Sequence, residues 1–200
     1  MTKDGNSFTT KIVVLRHLNM TKIEIDNDLP FSRSYWVLPK LLIAGEIPSA
    51  IDLAETTRKL TGLVRINTRV VINLMEADDK NYQGQPFLDY TERLKDLGKP
   101  SQIETYRFPI KDISIPSKEL MTEILDVMDE AIGLKKTVYV HCWGGIGRTG
   151  TTIGCYLLRH GLADKNNVFN MIDELKKSTP IRGRKSPETE EQRQFVLDWG

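Results

Sequence analysis

The apolar and polar positions from residue 35 onward alternate between short apolar runs and longer stretches with helical spacing. A run of roughly 4–8 apolar residues is typical of a buried strand, whereas apolar residues at i, i+3, i+4 and i+7 line one face of a helix. The pattern predicts strands over residues 36–38, 41–45, 70–74, 102–108 and 137–140. It predicts helices over residues 51–62, 87–97, 118–134, 149–161 and 168–175, the last of them stopped by Pro180.

A further helix is predicted after residue 185 from the residues at its start. Ser186 and Pro187 are predicted to be its N-cap and first position, and Glu188, Glu190 and Glu191 would form an acidic first turn. Alternating strands and helices predict an α/β fold in which helices flank a central, mainly parallel sheet.

The chain of 200 residues suits one domain with its own core. We expect that domain to span residues 35–200. Residues 1–34 contain only two strand-like runs, at residues 11–15 and 22–25, and are predicted to be an N-terminal extension, either a hairpin or a loose arm.

Composition narrows the class of protein. The 28 Lys and Arg residues nearly balance the 27 Asp and Glu residues, so no overall charge favours nucleic acid or an anionic membrane. No apolar stretch approaches the ~20 residues needed for insertion into a bilayer. Two cysteines are too few for a disulfide framework and lack the paired spacing of a zinc site. We expect a cytoplasmic protein with no metal and no cofactor.

The chemistry of the chain is concentrated in residues 141–150, HCWGGIGRTG, directly after the last predicted strand. A thiolate is a nucleophile, and loop amides, a helix N-terminus and a guanidinium would stabilise it and hold a phosphate. Arg148 can bind two phosphate oxygens in fork geometry. The hydroxyl of Thr149 lies where it could bond the sulfur of Cys142 and ease its departure. The glycines, at positions 144, 145, 147 and 150, would allow backbone angles that side chains disfavour.

This stretch resembles the signature loop of the cysteine-dependent protein tyrosine phosphatase superfamily, H-C-x5-R followed by Ser or Thr. The resemblance implies a protein tyrosine phosphatase-like fold, with Cys142 as nucleophile and His141 as structural support for the loop. It also implies that the loop binds phosphate, sulfate or vanadate. The phosphate-binding residues would be Trp143, Gly144, Gly145, Ile146, Gly147 and Arg148. The alternative is a glycine-rich turn that only joins a strand to a helix.

A second catalytic group is predicted thirty positions ahead of the cysteine. Asp112 follows a predicted strand and precedes Pro116, which resembles the general-acid loop of dual-specificity phosphatases. By resemblance, Asp112 would protonate the leaving oxygen and then activate the hydrolytic water. Without that pairing, an aspartate beside Lys111 would simply be solvated.

Three further features have both a functional and a plain structural interpretation. Gln192 resembles a glutamine that positions the water in related phosphatases, but a glutamine on an acidic helix is often only exposed. Arg182, Arg184 and Lys185 would bind acidic residues or a second phosphate, or form a solvated face. Cys155 lies too far along the predicted helix for a disulfide with Cys142 and is interpreted as a small buried hydrophobe.

The resemblance leaves several functions open. The chain lacks the tryptophan-proline-aspartate loop and the tyrosine-rich loop of the larger tyrosine-specific domains, which favours the dual-specificity branch. The expected function is hydrolysis of phosphotyrosine, and also of phosphoserine and phosphothreonine, in a protein or peptide through a phosphocysteine intermediate. A phosphoinositide or inositol phosphate phosphatase is the alternative, although Trp143 and Ile146 stand where such enzymes often carry cations. A rhodanese-like phosphatase and a phosphate-binding pseudophosphatase are less favoured, because Cys142, Arg148 and Asp112 are all present.

Overall fold

The fold is an α/β sandwich, described by a computed structural model over residues 29–98 and 102–199. The strand-like runs predicted at residues 11–15 and 22–25 lie outside the described residues. The strands are β1 (Ser34–Leu38), β2 (Leu42–Gly45), β3 (Thr68–Asn73), β4 (Glu104–Arg107) and β5 (Thr137–His141). The helices are α1 (Leu53–Arg65), α2 (Thr91–Leu97), α3 (Lys118–Gly133), α4 (Gly147–Arg159), α5 (Val168–Leu175) and α6 (Glu190–Leu197).

The five strands form one sheet in the order β1-β2-β5-β3-β4. Only the β1–β2 pair is antiparallel, which confirms the predicted mainly parallel sheet. The register places Gly45 opposite His141, His141 opposite Asn73, and Asn73 opposite Arg107. Four parallel strands therefore end at the same edge, which is where α/β sheets bind their ligands.

Helix α4 is the central helix of the domain. It packs against β2 and β5 and contacts α3, α5 and α6, whereas α1 and α2 pack together beside β3. Almost the whole of α4 is buried, including Ile153, Cys155 and Leu157. Its N-terminus is held directly after β5, so the intervening loop is fixed at both ends by buried elements.

Two predicted helix starts are corrected by side-chain contacts. Helix α2 begins at Thr91 rather than residue 87, because Phe87 instead packs near Trp143. Helix α6 begins at Glu190, so Ser186 is not its N-cap. The cap is Thr189, whose hydroxyl accepts the backbone N–H of Gln192 in a reciprocal capping box.

Ser186 has a different function in the fold. Its hydroxyl donates to the carbonyl of Ile146 at 2.8 Å, which ties the segment before α6 to the glycine loop. Across the two described ranges, no helix is both long enough and apolar enough to cross a membrane.

Candidate active site

A cleft of about 230 Å³ opens at the carboxyl edge of the sheet. It contains Cys142 and Arg148 from the glycine loop and Asp112 from the loop after β4. Residues distant in the sequence thus meet at the edge where the parallel strands end. The other lining residues are Arg33, Tyr82, Ile113, Trp143, Gly144, Ile146, Gly147, Arg184 and Glu188.

The glycine loop delivers the chain from β5 into the N-terminus of α4. Ile146 stands at the N-cap, and no side chain caps the helix. The first N–H groups of α4 therefore lack the usual side-chain acceptor, and the helix dipole adds positive potential at the same place. An oxyanion in the cleft would satisfy both.

The backbone requirement for glycine is concentrated at one loop position. Gly145 has φ +71°, and a Cβ there would lie 2.5 Å from the carbonyl carbon of Gly45. Gly144, Gly147 and Gly150 do not have positive φ, so the predicted need for unusual angles is wrong at these three. Gly150 is required for space instead, because a Cβ would lie 2.2 Å from the Ser186 hydroxyl.

Cys142 lies at the base of the cleft and is only 3% exposed. Thr149, the residue that follows Arg148, is fully buried, and its hydroxyl has no hydrogen-bond partner in the protein. A buried hydroxyl left unpaired costs about 1–3 kcal/mol. The predicted bond from this hydroxyl to the sulfur of Cys142 is not formed in this structure.

Arg148 is held by acceptors from two loops, the one after β3 and the one after β4. Its Nη1 donates to the Asp79 carboxylate at 2.6 Å and to the Ile110 carbonyl at 2.9 Å. Its Nη2 lies 2.9 Å from the Asp112 carboxylate, and its buried Nε has no partner. One corner of the guanidinium is thus fixed by the protein. The Nε–Nη2 edge retains a free donor for an oxyanion.

The charges around Arg148 keep it protonated. Burial alone would lower its pKa, but Cys142, Asp79 and Asp112 more than offset that effect and raise the pKa above its ordinary value. A permanent positive charge therefore lies at the base of the cleft, where a phosphate dianion would need compensation.

Asp112 reaches the cleft because the chain after β4 stays hydrogen-bonded to the chain of β3. Phe108 N–H donates to the Asn73 carbonyl and Ile110 N–H to the Leu74 carbonyl, at 2.9 and 3.1 Å. The Asp112 side chain remains 48% exposed. It thus faces both Arg148 and solvent.

His141 is a buried, neutral imidazole behind the loop. Burial lowers its pKa from 6.5 to about 3. Nδ1 lies 3.0 Å from the Cys142 carbonyl and Nε2 lies 2.5 Å from the Tyr90 hydroxyl. A carbonyl only accepts, so Nδ1 carries the proton and Nε2 accepts from Tyr90, whose pKa is raised by burial. The ring therefore links the loop to the N-terminus of α2.

Gln192 is fully buried behind the loop. Its Oε1 accepts the N–H groups of Glu188 and Thr189, and one Nε2 proton is donated to the Ser114 carbonyl at 3.0 Å. A Cβ on Gly147 would lie 3.1 Å from the amide. The side chain therefore ties the Asp112 loop to α6 and lies close to the loop, with one N–H left over.

The predicted basic cluster is divided by the fold. Arg184 lines the cleft, but it is paired with Glu188 at 3.0 Å, and Lys185 is paired with Glu190. The Arg184–Glu188 pair is about half exposed, and such pairs contribute little energy, so Glu188 competes only weakly with a second phosphate for Arg184. Cys155 is fully buried and unpaired, and burial raises its pKa.

Several residues at the cleft were missed by sequence reasoning. Asp79 had a signal, since it lies a few residues after the buried strand β3, at the functional edge of a parallel sheet. Arg33 and Tyr82 had none, because their proximity to Cys142 depends on how three separate loops fold together.

A buried cysteine, an arginine with a free donor edge and an exposed carboxylate thus lie at one cleft, and groups of these kinds can bind and attack a phosphate ester. Residues 48–162 match the family model described as "Polymorphic toxin system, DSP-PTPase phosphatase". The match covers more than half of the chain, and the chain belongs to this family.

Individual relatives extend the comparison. An uncharacterized protein of Methanocaldococcus jannaschii is 35% identical over 103 residues, 50% of this chain and 57% of its own. Mouse dual specificity protein phosphatase CDC14B is 45% identical over 49 residues, 24% of this chain and 10% of its own. The chain therefore spans less than two thirds of either relative. The crystal structure of Tk-PTP in the active form matches with a TM-score of 0.61 and 22% identity, covering 84% of this chain and 97% of that one, which shows the shared fold.

Proposed function

We propose that this protein is a phosphoprotein phosphatase that hydrolyses phosphotyrosine, and also phosphoserine and phosphothreonine, through a phosphocysteine intermediate. The observation that carries the proposal is the guanidinium of Arg148, whose Nη1 is fixed by Asp79 and Ile110 while its buried Nε is unpaired. That donor edge lines the same cleft as Cys142. The arrangement suits a tetrahedral oxyanion bound in the cleft that Cys142 lines.

The first step transfers the phosphoryl group to the protein. The Cys142 thiolate attacks phosphorus, the S–P bond forms and the P–O bond of the ester breaks. Asp112 gives its proton to the leaving oxygen, so the product departs as an alcohol or phenol. Loop amides of residues 143–147 and the Nε–Nη2 edge of Arg148 bind the equatorial oxygens. We expect the incoming phosphate to displace Asp112 from Nη2, because both are anions that bind the same nitrogen.

The second step restores the enzyme. Water attacks phosphorus and gives a proton to the Asp112 carboxylate, the S–P bond breaks, and phosphate leaves. The Thr149 hydroxyl, unpaired in the protein, stabilises the departing thiolate. Gln192 has one N–H that no described group accepts, which would orient the water, and its other amide bonds hold the Asp112 loop in place.

Hydrolysis of p-nitrophenyl phosphate in the presence of EDTA tests the proposal. We expect turnover by the wild type, none by Cys142→Ser, and unchanged turnover by the matched control Cys155→Ser, whose sulfur is buried away from the cleft. Full activity in Cys142→Ser, or an inactive wild type, would refute the proposed chemistry.

A further inference from the structure

The most exposed large apolar side chain in the described ranges lines the candidate active site. Tyr82 is 90% exposed, yet its ring centroid lies 4.2 Å from that of Trp143, the residue after the nucleophile. Behind Trp143 lies Phe87, at 5.9 Å between ring centroids. We call these three side chains the aromatic rim. It passes from a half-buried ring to an exposed one beside the phosphate-binding loop.

The hairpin tip that carries Tyr82 is ordered by its neighbour. The Asn81 carboxamide accepts the N–H groups of Gln83 and Gln85, both at 2.9 Å, and the main chains of Asn81 and Gln85 are also bonded. A bridge between Lys80 and Pro86 closes the tip. These hydrogen bonds hold the backbone on both sides of Tyr82. Its ring can therefore contact a ligand with little further loss of conformational entropy.

An apolar side chain from a different loop also lines the cleft. Ile113 is 61% exposed, and its φ of +61° is a conformation that β-branched residues rarely adopt. Strained backbone of this kind tends to persist at functional sites. Cys142, in contrast, is 3% exposed. A phosphate bound above the sulfur must therefore be joined to its carrier by a group that passes these exposed apolar side chains.

Resting on the proposed function, we propose that Tyr82, supported by Trp143, is the specificity-determining residue that favours aryl over alkyl phosphate esters, with the ring of a phosphotyrosyl peptide lying between Tyr82 and Ile113. An aromatic ring attached through the ester oxygen presents apolar faces to both side chains. The short aliphatic arms of phosphoserine and phosphothreonine offer neither an aromatic face nor comparable area.

The test compares phosphotyrosyl and phosphothreonyl peptides of the same flanking sequence. For Tyr82→Ala we expect kcat/KM toward the phosphotyrosyl peptide to fall about threefold to tenfold, the range of one aromatic pair, with less than about twofold change for the phosphothreonyl peptide. Tyr82→Phe keeps the ring and should behave as the wild type. Inhibition by vanadate, which has no ring, should be the same in all three proteins and reports an intact loop.

Asn81→Ala offers a second variant that leaves the ring in place and loosens the tip. It should reduce the phosphotyrosyl preference by a smaller factor. For Tyr82→Ala, an equal loss of kcat/KM toward both peptides would show that Tyr82 only supports the loop. No loss of kcat/KM toward either peptide would show that the aromatic rim does not contact substrate. Either result overturns the proposal.

Binding to Cys142→Ser separates this proposal from the proposed function. One outcome is that the wild type hydrolyses neither peptide, while Cys142→Ser binds the phosphotyrosyl peptide more tightly than the phosphothreonyl peptide. If adding Tyr82→Ala removes that preference, the proposal for the aromatic rim is supported and the catalytic proposal fails. If turnover occurs without any dependence on Tyr82, the catalytic proposal stands and the rim fails. Absence of both turnover and binding overturns both.

Discussion

Asp79 lies 69 positions before Arg148 and binds it through a 2.6 Å contact between Oδ2 and Nη1. The arginine side chain is 1% exposed and the aspartate 12%. Together with the Ile110 carbonyl, this contact fixes the orientation of the guanidinium before any substrate arrives. The orientation of the Nε–Nη2 edge of Arg148 is therefore fixed in part by Asp79, a residue outside the signature loop.

Replacing Asp79 by Asn should lower both activity and stability. The variant removes the charge and leaves a buried guanidinium less compensated, at a cost on the order of 3 kcal/mol in the free energy of unfolding. We expect kcat toward p-nitrophenyl phosphate to fall at least about tenfold, since Arg148 can turn away from the phosphate. Steady-state kinetics and urea unfolding measure the two effects. The exposed neighbour Asp78→Asn is the matched control, and equal behaviour of the two variants would contradict the role of Asp79.

Replacing Asp112 by Asn should affect substrates according to their leaving groups. An alkyl ester needs a proton at its leaving oxygen, so its hydrolysis should slow by about 10²- to 10⁴-fold, whereas an ester of an acidic phenol should lose much less. The pH limb that reports the acid should also flatten. Ser114→Ala on the same loop keeps the backbone carbonyl that binds Gln192 and serves as control. Equal losses across the leaving groups would remove Asp112 from proton transfer.

The neutral state of His141 predicts a pH dependence of stability. Its pKa is about 3 in the fold and 6.5 in an unfolded chain, so between these values the unfolded state binds the extra proton. This contribution to stability is present above pH 6.5 and is lost as the pH falls, with a slope of up to about 1.4 kcal/mol per pH unit. The imidazole signals of His141 in NMR spectra should remain those of a neutral ring at pH 5. A ring that titrates near pH 6.5 would contradict the buried Tyr90–His141–Cys142 network.

The close approach of Gly145 to the backbone of Gly45 predicts that a single added methyl group lowers the free energy of unfolding substantially. Gly145→Ala forces a side chain into positive φ and against the backbone of Gly45, at a cost of more than about 2 kcal/mol in the free energy of unfolding. Gly144→Ala is the matched control, because its Cβ would meet nothing closer than 3.9 Å. Thermal unfolding of the two variants measures the difference. Equal melting temperatures would show that the loop can relax away from β2.

The order of strands and helices could be predicted from the sequence, because the local apolar patterns agree with the architecture of the fold. Apolar runs and helical stripes follow directly from burial, so β5, the loop and α4 could be predicted in order. The start of α6 could not, since Ser186 and Thr189 are both good caps. The choice depends on a tertiary bond from Ser186 to the Ile146 carbonyl.

The candidate site divides in the same way. Cys142 and Arg148 share one contiguous motif, and Asp112 has a recognisable loop, so their meeting at the cleft could be expected. Asp79 and Tyr82 lie on a loop between β3 and α2 with no motif of its own. The place of Asp79 after a buried parallel strand is a signal in the sequence, but its contact with Arg148 depends on how that loop folds over the signature loop. The contact of Tyr82 with Trp143 depends on the same folding and has no signal in the sequence.

If the phosphoryl group passes through the sulfur of Cys142, the phosphocysteine intermediate can be trapped. A single-turnover reaction with an aryl phosphate, stopped by denaturant and mapped by mass spectrometry, should yield a phosphate adduct on the peptide that contains Cys142. The adduct should form and decay at rates compatible with turnover. Cys142→Ser should form no such adduct while still binding vanadate, and Cys155→Ser should match the wild type. Turnover without this adduct, or an adduct on a different residue, would contradict phosphoryl transfer through Cys142.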